Sequence, residues 1–241
     1  MKEDIYKNYT STSVLAGVDV KKFTAWSHRY FNAFILPHIP QDNNCKILEI
    51  GCGYGRYTHL LTHTLGYENT VGIDISEEQI EFAKNNYQLT KVFKADALEF
   101  LEAGQEKYDI VILMDVLEHL ELDYAIRLLK KIKQCLNQYG KLIIQVPNGL
   151  SPLKPIFYGD VTHIRAFSSN SMTQILRMAG FKFFQHSAIP PLVHNIKSLL
   201  HRMIWVSLIN PFIYLFVLLS HGSAVGGIFS SNLLTIAYNK E

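Results

Sequence analysis

Cysteine is scarce in this 241-residue chain: Cys45, Cys52 and Cys135 are the whole complement, an odd number with no Cys-x-x-Cys pair. That excludes a disulfide framework and a zinc knuckle, and a reducing compartment is the natural reading. Charge is sparse as well. Asp, Glu, Lys and Arg make up 18% of the residues and the formal net charge is +2, too small to argue for nucleic-acid binding. The ten His add positive charge only at mildly acidic pH. Residues 1–12 are polar and lack the apolar stretch of a secretory signal, so a cytoplasmic protein is expected. Internal repeats and low-complexity tracts are missing, which excludes an array architecture. What is plentiful is apolar surface, 48% of the residues, enough for one large domain spanning 1–241.

Hydrophobic spacing divides the chain. In residues 20–36, Val20, Phe23, Trp26, Tyr30, Phe31 and Phe34 recur at steps of mostly three and four, which predicts a helix ended by Pro37 and Pro40. Residues 1–40 are read as an N-terminal helical lid. Strands are predicted at 45–50, 70–73, 91–95, 108–114 and 141–146. Helices are predicted at 57–65, from an N-cap at Ser76 to about Tyr87 with Gln79 at the capping-box position, and at 123–136. After a long loop at 147–167, Ser168 or Ser169 caps a helix through Met178, and residues 181–188 and 228–238 read as strands. The expected fold is α/β: a Rossmann-like, mainly parallel seven-stranded sheet with helices on both faces and an apolar insertion, 189–227, before the last strand.

The chemistry begins at Ile47-Leu48-Glu49-Ile50-Gly51-Cys52-Gly53-Tyr54-Gly55, a strand running into a glycine turn and a helix. Glycine admits positive φ and lets a ligand approach without a Cβ in the way. Ligands of such sheets bind beyond the carboxyl ends of the strands. Ordinary turns also carry glycines. A dinucleotide fingerprint needs Gly-x-Gly-x-x-Gly, and Arg56 stands where its last glycine belongs.

An acid followed by Gly-x-Gly-x-Gly resembles the first motif of the class I S-adenosylmethionine-dependent methyltransferases, a resemblance covering about residues 45–188 and 228–238. It implies S-adenosylmethionine as cofactor, with Gly51, Gly53 and Gly55 along its methionine part and Glu49 orienting its amino end. Asp74 follows Gly51 by 23 residues, where a carboxylate can accept both ribose hydroxyls, with Ile75 beside it. Dehydrogenases use that position too, and the plainer reading is a helix-flanking acid. The resemblance assigns Asp96 to the adenine amino group, with the backbone of Ala97 alongside; an Asp there is also a natural N-cap. Asp109–Leu120 resembles the family's fourth-strand motif, in the subgroup with a Glu-His pair after the strand. Met114 then lies beside the cofactor and His119 near the sulfonium. Alternatively Glu118 and His119 cap the next helix.

Methyl transfer from a sulfonium is an in-line displacement whose main demand is alignment. An alcohol nucleophile gains from a base, and His has a suitable pKa. His163 lies in the loop after the fifth strand, over the same end of the sheet as the glycines. The stretch Asp160-x-x-His163-x-x-x-Phe167-Ser168 is similar to one in glycan-tailoring methyltransferases, where the histidine faces the acceptor. His163 is the first candidate for base or acceptor contact, supported by Asp160 or Arg165, and His119 is the second. The alternative is that His163 and Arg165 anchor the loop. His28 and Arg29 could close over the cofactor, although a solvated helix face accounts for them; Tyr6 and Tyr9 could belong to a lid. His59 and His63 share a helix face, but Leu60 occupies the place of a zinc protease's Glu, so a solvated face is expected and no metal site.

From Met203 to Asn239 there is no Asp, Glu, Lys or Arg. Hydropathy flags a span, yet the flanking strands must pair in one sheet, which a single crossing forbids. Two readings remain. The segment 192–220 lies in a membrane interface, with Lys197 and Arg202 toward headgroups and Trp205, Phe212 and Phe216 toward acyl chains. Or it covers the sheet or forms a homodimer contact. The chain is expected to O-methylate a small-molecule, glycan or lipid-linked acceptor, in the cytoplasm or peripherally at the inner face of the membrane. A quinone or lipid-like phenol is the second acceptor class, and a silent methyltransferase-like binding subunit the third reading.

Overall fold

The computed structural model describes residues 20–224 and 226–240. Tyr6 and Tyr9, with the rest of residues 1–19, lie outside the described residues. Helix α1 (Val20–Phe34) leads into β1 (Ile47–Ile50), α2 (Arg56–His59, continued by a wider turn over Leu60–Thr64), β2 (Thr70–Asp74), α3 (Glu77–Tyr87) and β3 (Val92–Lys94). Then come α4 (Ala97–Ala103), β4 (Tyr108–Met114), a 3-10 turn (Leu117–His119), α5 (Leu122–Cys135) and β5 (Leu136–Pro147). The last part holds α6 (Pro155–Tyr158), α7 (Ser169–Met178), β6 (Phe183–Ala188), α8 (Ile196–Ile204), α9 (Asn210–His221) and β7 (Asn232–Tyr238).

The seven strands form one sheet in the order β3-β2-β1-β4-β5-β7-β6. Pairing is parallel from β3 to β5, while β7 runs antiparallel to both β5 and β6. The Rossmann-like α/β sheet expected from the sequence is therefore present. Its unbroken apolar strands follow from two-sided burial. Along β4, Val111 and Leu113 join Leu128, Leu129, Ile132, Met172 and Leu176 of α5 and α7. Ile110, Ile112 and Met114 face the other way, onto Phe31 of α1 and Tyr57, Leu60 and Leu61 of α2. Helix α1 is thus fixed to the core, with Tyr30, Phe31 and Ile35 at most 5% exposed.

Two local readings are corrected. Ser76 caps α3 by accepting from Gln79 N at 3.5 Å, but the reciprocal half of the box is missing, because the Gln79 side chain packs toward Gly53. Strand β5 starts at Leu136, not after Gly140: residues 136–140 stay extended, and the pairing with β4 shifts register between Tyr108 and Ile110.

The apolar insertion is one 26-residue helix, Ile196–His221, with no buried share in its most apolar window. Pro211 is accommodated where a wider turn, Trp205–Ile209, precedes α9. The helix does not cover the sheet, which removes that reading. Leu208, Phe212, Phe216 and Leu219 are 61–77% exposed, and each forgoes about 1.5–3 kcal/mol of burial. Ala188 pairs with Leu233, and Pro147 at the carboxyl end of β5 pairs with Asn232. The insertion therefore leaves and rejoins the sheet at the carboxyl ends of the parallel strands.

Candidate active site

The first half of the site is the glycine loop after β1. Gly51 N and Cys52 N both donate to Ile73 O, at 2.8 and 3.0 Å, folding the loop over the tip of β2. Gly51 has φ +72°, and a Cβ there would stand 2.5 Å from Val116 Cγ2. Only glycine meets both demands. Asp74, at the tip of β2, accepts from Gly53 N and Ser76 N, each at 2.8 Å. A carboxylate has about four lone-pair sites, so roughly two remain for outside donors such as vicinal hydroxyls. Glu49 is 1% exposed and accepts from Thr58 Oγ1 at 2.5 Å. Burial pushes its carboxyl up to about 7, partly opposed by the Thr58 hydrogen bond. Among the described residues no Lys or Arg forms an ion pair with it, although the Arg56 charge, like the Thr58 hydrogen bond, favours its ionised form.

Asp96 is more committed to the fold. It caps α4 by accepting from Leu98 N and Glu99 N, at 2.9 and 3.1 Å, and receives Tyr124 Oη at 2.8 Å. The N-cap reading of the sequence is thus realised; Ala97 is the first residue of α4. Helix α1 closes the side of the loop. Phe23 and Tyr57 lie 4.9 and 4.6 Å from the Arg56 guanidinium, and His28 Nε2 is 3.0 Å from Arg56 O. His28 is accordingly a helix-to-helix anchor and not a solvated residue, whereas Arg29 is exposed. His59 also departs from the solvated reading: its ring stacks at 4.7 Å on His63 and 4.8 Å on Tyr87.

The second half lies after β4. Asp115 has φ +57°, an uncommon conformation for a non-glycine residue, and accepts from Gln145 Nε2 at 3.1 Å. Gln145 in turn accepts from Tyr30 Oη at 2.6 Å. The loop after β5 folds back on this turn, with Ile164 N and Arg165 N donating to Glu118 O at 2.9 and 3.2 Å. That brings His163 beside His119, with ring centroids 4.6 Å apart, and places His163 Nε2 3.8 Å from Glu118 Oε1. Burial, with His163 nearby, pushes His119 down to about 4, so it is neutral at neutral pH. Burial raises Glu118 well above the carboxylate range. Met114 is 6% exposed at the end of β4.

Two surface depressions, of about 410 Å³ beside Thr173 and Arg177 and about 220 Å³ beside Cys45 and Lys141, lie on the outside of α7 and at the amino ends of the strands. Neither is at the strand tips.

Residues 23–186 match the methyltransferase domain family. The chain belongs to the S-adenosylmethionine-dependent methyltransferases. It is 30% identical over 125 residues to a ubiquinone biosynthesis O-methyltransferase of Coxiella burnetii (strain RSA 493 / Nine Mile phase I), covering 48% of this chain and 51% of that one. The methyltransferase thus spans about half the length of the curated relatives it matches. A solved S-adenosylmethionine-dependent methyltransferase from Archaeoglobus fulgidus aligns with a TM-score of 0.64 at 23% identity, over 91% of this chain and 100% of that one. Phosphoethanolamine N-methyltransferase 2 of Haemonchus contortus, solved with S-adenosylmethionine, aligns with a TM-score of 0.61 at 17% identity, over 98% of this chain and 60% of that one.

The methyltransferase uses S-adenosylmethionine, and the strand tips fit it: a glycine loop, a buried acid with no ion-pair partner among the described residues, and Asp74 with acceptor capacity to spare. Sequence reasoning missed Asp115, whose signal is its backbone conformation, and gave Glu118 only a capping role. No spacing rule links residues 118 and 119 to 163; the returning loop does.

Proposed function

We propose that this methyltransferase O-methylates a lipid-like hydroxyl acceptor, a phenol or quinol, taken from a membrane surface. The observation that carries this reading is the position of the exposed helix Ile196–His221. It springs from the end of the sheet that holds the glycine loop and the His119–His163 pair. An apolar helix with Lys197 and Arg202 near its start suits an interfacial position. Asn148 Nδ2 donates to Ile228 O and Ser230 O, both at 2.8 Å, tying the start of the His163 loop to the segment that follows the insertion. Curated relatives named for an O-methylation in ubiquinone biosynthesis support the same acceptor class.

Bound S-adenosylmethionine supplies an electrophilic methyl group. On this reading Gly51, Gly53 and Gly55 pass along its methionine part, and Glu49 takes its ammonium. Asp74 and Ile75 take the ribose, Asp96 and Ala97 the adenine edge, and Met114 packs beside it. The His119–His163–Glu118 cluster is where the acceptor hydroxyl loses its proton. The glycan acceptor suggested by Asp160, His163, Phe167 and Ser168 has no further group in its favour.

The test supplies the purified protein and S-adenosylmethionine with short-chain quinols in lipid vesicles and, separately, with soluble sugars, and follows S-adenosylhomocysteine release. Turnover on the quinol arm alone is expected. Turnover on sugars alone overturns the lipid reading. Cofactor binding without turnover on any acceptor makes the protein a silent binding subunit.

A further inference from the structure

Two opposite charges bracket the glycine loop, Glu49 in β1 and Arg56 at the start of α2. Among the described residues neither forms an ion pair, with the other or with a third group. They are nonetheless within electrostatic reach. Against the dominant effect of burial, the Arg56 charge favours the ionised forms of Glu49 and of Asp115, at the tip of β4. The fold also fixes their spacing, because Glu49 accepts from Thr58 Oγ1, two residues beyond Arg56 on the same helix. An acid and a cation that interact without touching suit a ligand that carries both charges itself.

Rings hold Arg56 in place. Phe23, Tyr54 and Tyr57 have their centroids 4.9, 5.9 and 4.6 Å from its guanidinium carbon. Rings at that distance hold a guanidinium through its charge and flat faces without consuming its N–H groups. The planar fork of N–H groups is the bidentate partner of a carboxylate. Arg56 is partly buried, so it is shielded from open solvent without being sealed off. The basic residues of α1 that could have closed over the cofactor are placed otherwise. His28 Nε2 is engaged at Arg56 O, and Arg29 is exposed.

We propose that Arg56 binds the α-carboxylate of S-adenosylmethionine. Glu49 and Arg56 then form one reader for the ammonium and carboxylate groups that a single carbon of the methionine end carries. The pairing rests on the proposed role of Glu49; the Arg56 contact does not, and neither depends on the acceptor. The plainer role for Arg56 is to fasten α1 to α2 through Phe23. The two roles differ in what they sense. A fastener is blind to whether the cofactor keeps its carboxylate, whereas a reader is not.

The test is isothermal titration of the protein with S-adenosylmethionine and with decarboxylated S-adenosylmethionine, which keeps the sulfonium and the ammonium. The wild type is expected to bind the decarboxylated ligand at least about tenfold more weakly. Arg56→Gln should lose at least about tenfold toward S-adenosylmethionine and stay within about twofold of wild type toward the decarboxylated ligand. Arg56→Lys, which keeps the charge without the fork, should fall between. Glu49→Gln should weaken both ligands by similar factors, because both carry the ammonium. Unfolding midpoints establish that the variants are folded. Equal wild-type affinity for the two ligands overturns the proposal without any variant. Folded Arg56→Gln that weakens both ligands alike overturns it too, and leaves Arg56 as a fastener. Unchanged affinities in folded Glu49→Gln, with the Arg56 pattern intact, remove the ammonium assignment and uphold the carboxylate contact.

Discussion

Two sets of carboxylates meet at the same end of this sheet, and the chain treats them differently. Around the glycine loop, Glu49, Asp74 and Asp96 each accept hydrogen bonds from their own chain. A few residues away, Glu118 is just as deeply buried and accepts none on either oxygen. The first set is held in place before anything binds. The second is pushed toward its neutral form by burial and faces the His163 ring at 3.8 Å. Polar groups satisfied by their own chain are shaping groups, whereas Glu118 belongs with Ser27, Tyr54 and Asn232 among the buried side chains that carry an unsatisfied polar atom.

The largest test of this contrast acts on the residue between the two sets. Gly51→Ala incurs the left-handed backbone penalty and drives a Cβ into Val116, just before the Glu118 turn. The expected loss is about 3–4 kcal/mol in denaturant unfolding. Adding Val116→Ala should return only the steric part; full recovery would mean that backbone conformation at Gly51 costs nothing.

Next is Glu49, whose carboxyl rises from 4.5 to about 7 on folding. With the folded value raised, its contribution is complete below the unfolded value and disappears as pH rises through about 7. Wild-type stability should therefore fall by about 3 kcal/mol between roughly pH 4.5 and 8 relative to Glu49→Gln, measured by urea unfolding across that range. Parallel profiles for the two proteins would show that Glu49 stays neutral or is compensated.

A smaller effect, about 2 kcal/mol, is expected for Asn148→Ala, which strands the Ile228 and Ser230 carbonyls. Calorimetric unfolding should reveal the loss without a change in S-adenosylmethionine affinity, because Asn148 serves the insertion side and not the glycine loop. The smallest concerns the outer helix. Phe212→Ser with Phe216→Ser should move stability by less than about 0.5 kcal/mol per site, since both side chains are largely exposed. Vesicle flotation should nonetheless drop, and retained flotation would shift the helix toward a homodimer role.

Most of the fold was readable because buried parallel strands are short apolar runs separated by glycine, proline and capping residues. Tyr108–Met114 and the Ser76 cap are examples. The beginning of β5 was not readable, since Leu136–Gly140 carries turn residues and its extended form depends on pairing with β4. In the site, the local part was legible: Glu49 to Gly55 is one strand, one turn and one helix start. The distant part was not. His163 reaches Glu118 through backbone bonds from Ile164 and Arg165, and such long-range contacts leave no periodic trace in a sequence. Asp115 was hidden for another reason, because its positive φ is imposed by the turn around it and not by residue type.

Strands β6 and β7 lie side by side from Phe183 opposite Tyr238 to Ala188 opposite Leu233. The whole 26-residue helix consequently hangs from the mouth of an ordinary hairpin. Such an appendage can be shortened, exchanged or acquired without redrawing the sheet. On the proposed function, acceptor supply and cofactor chemistry would then be separable cassettes, and grafting the helix onto a helix-free relative is expected to move one without the other.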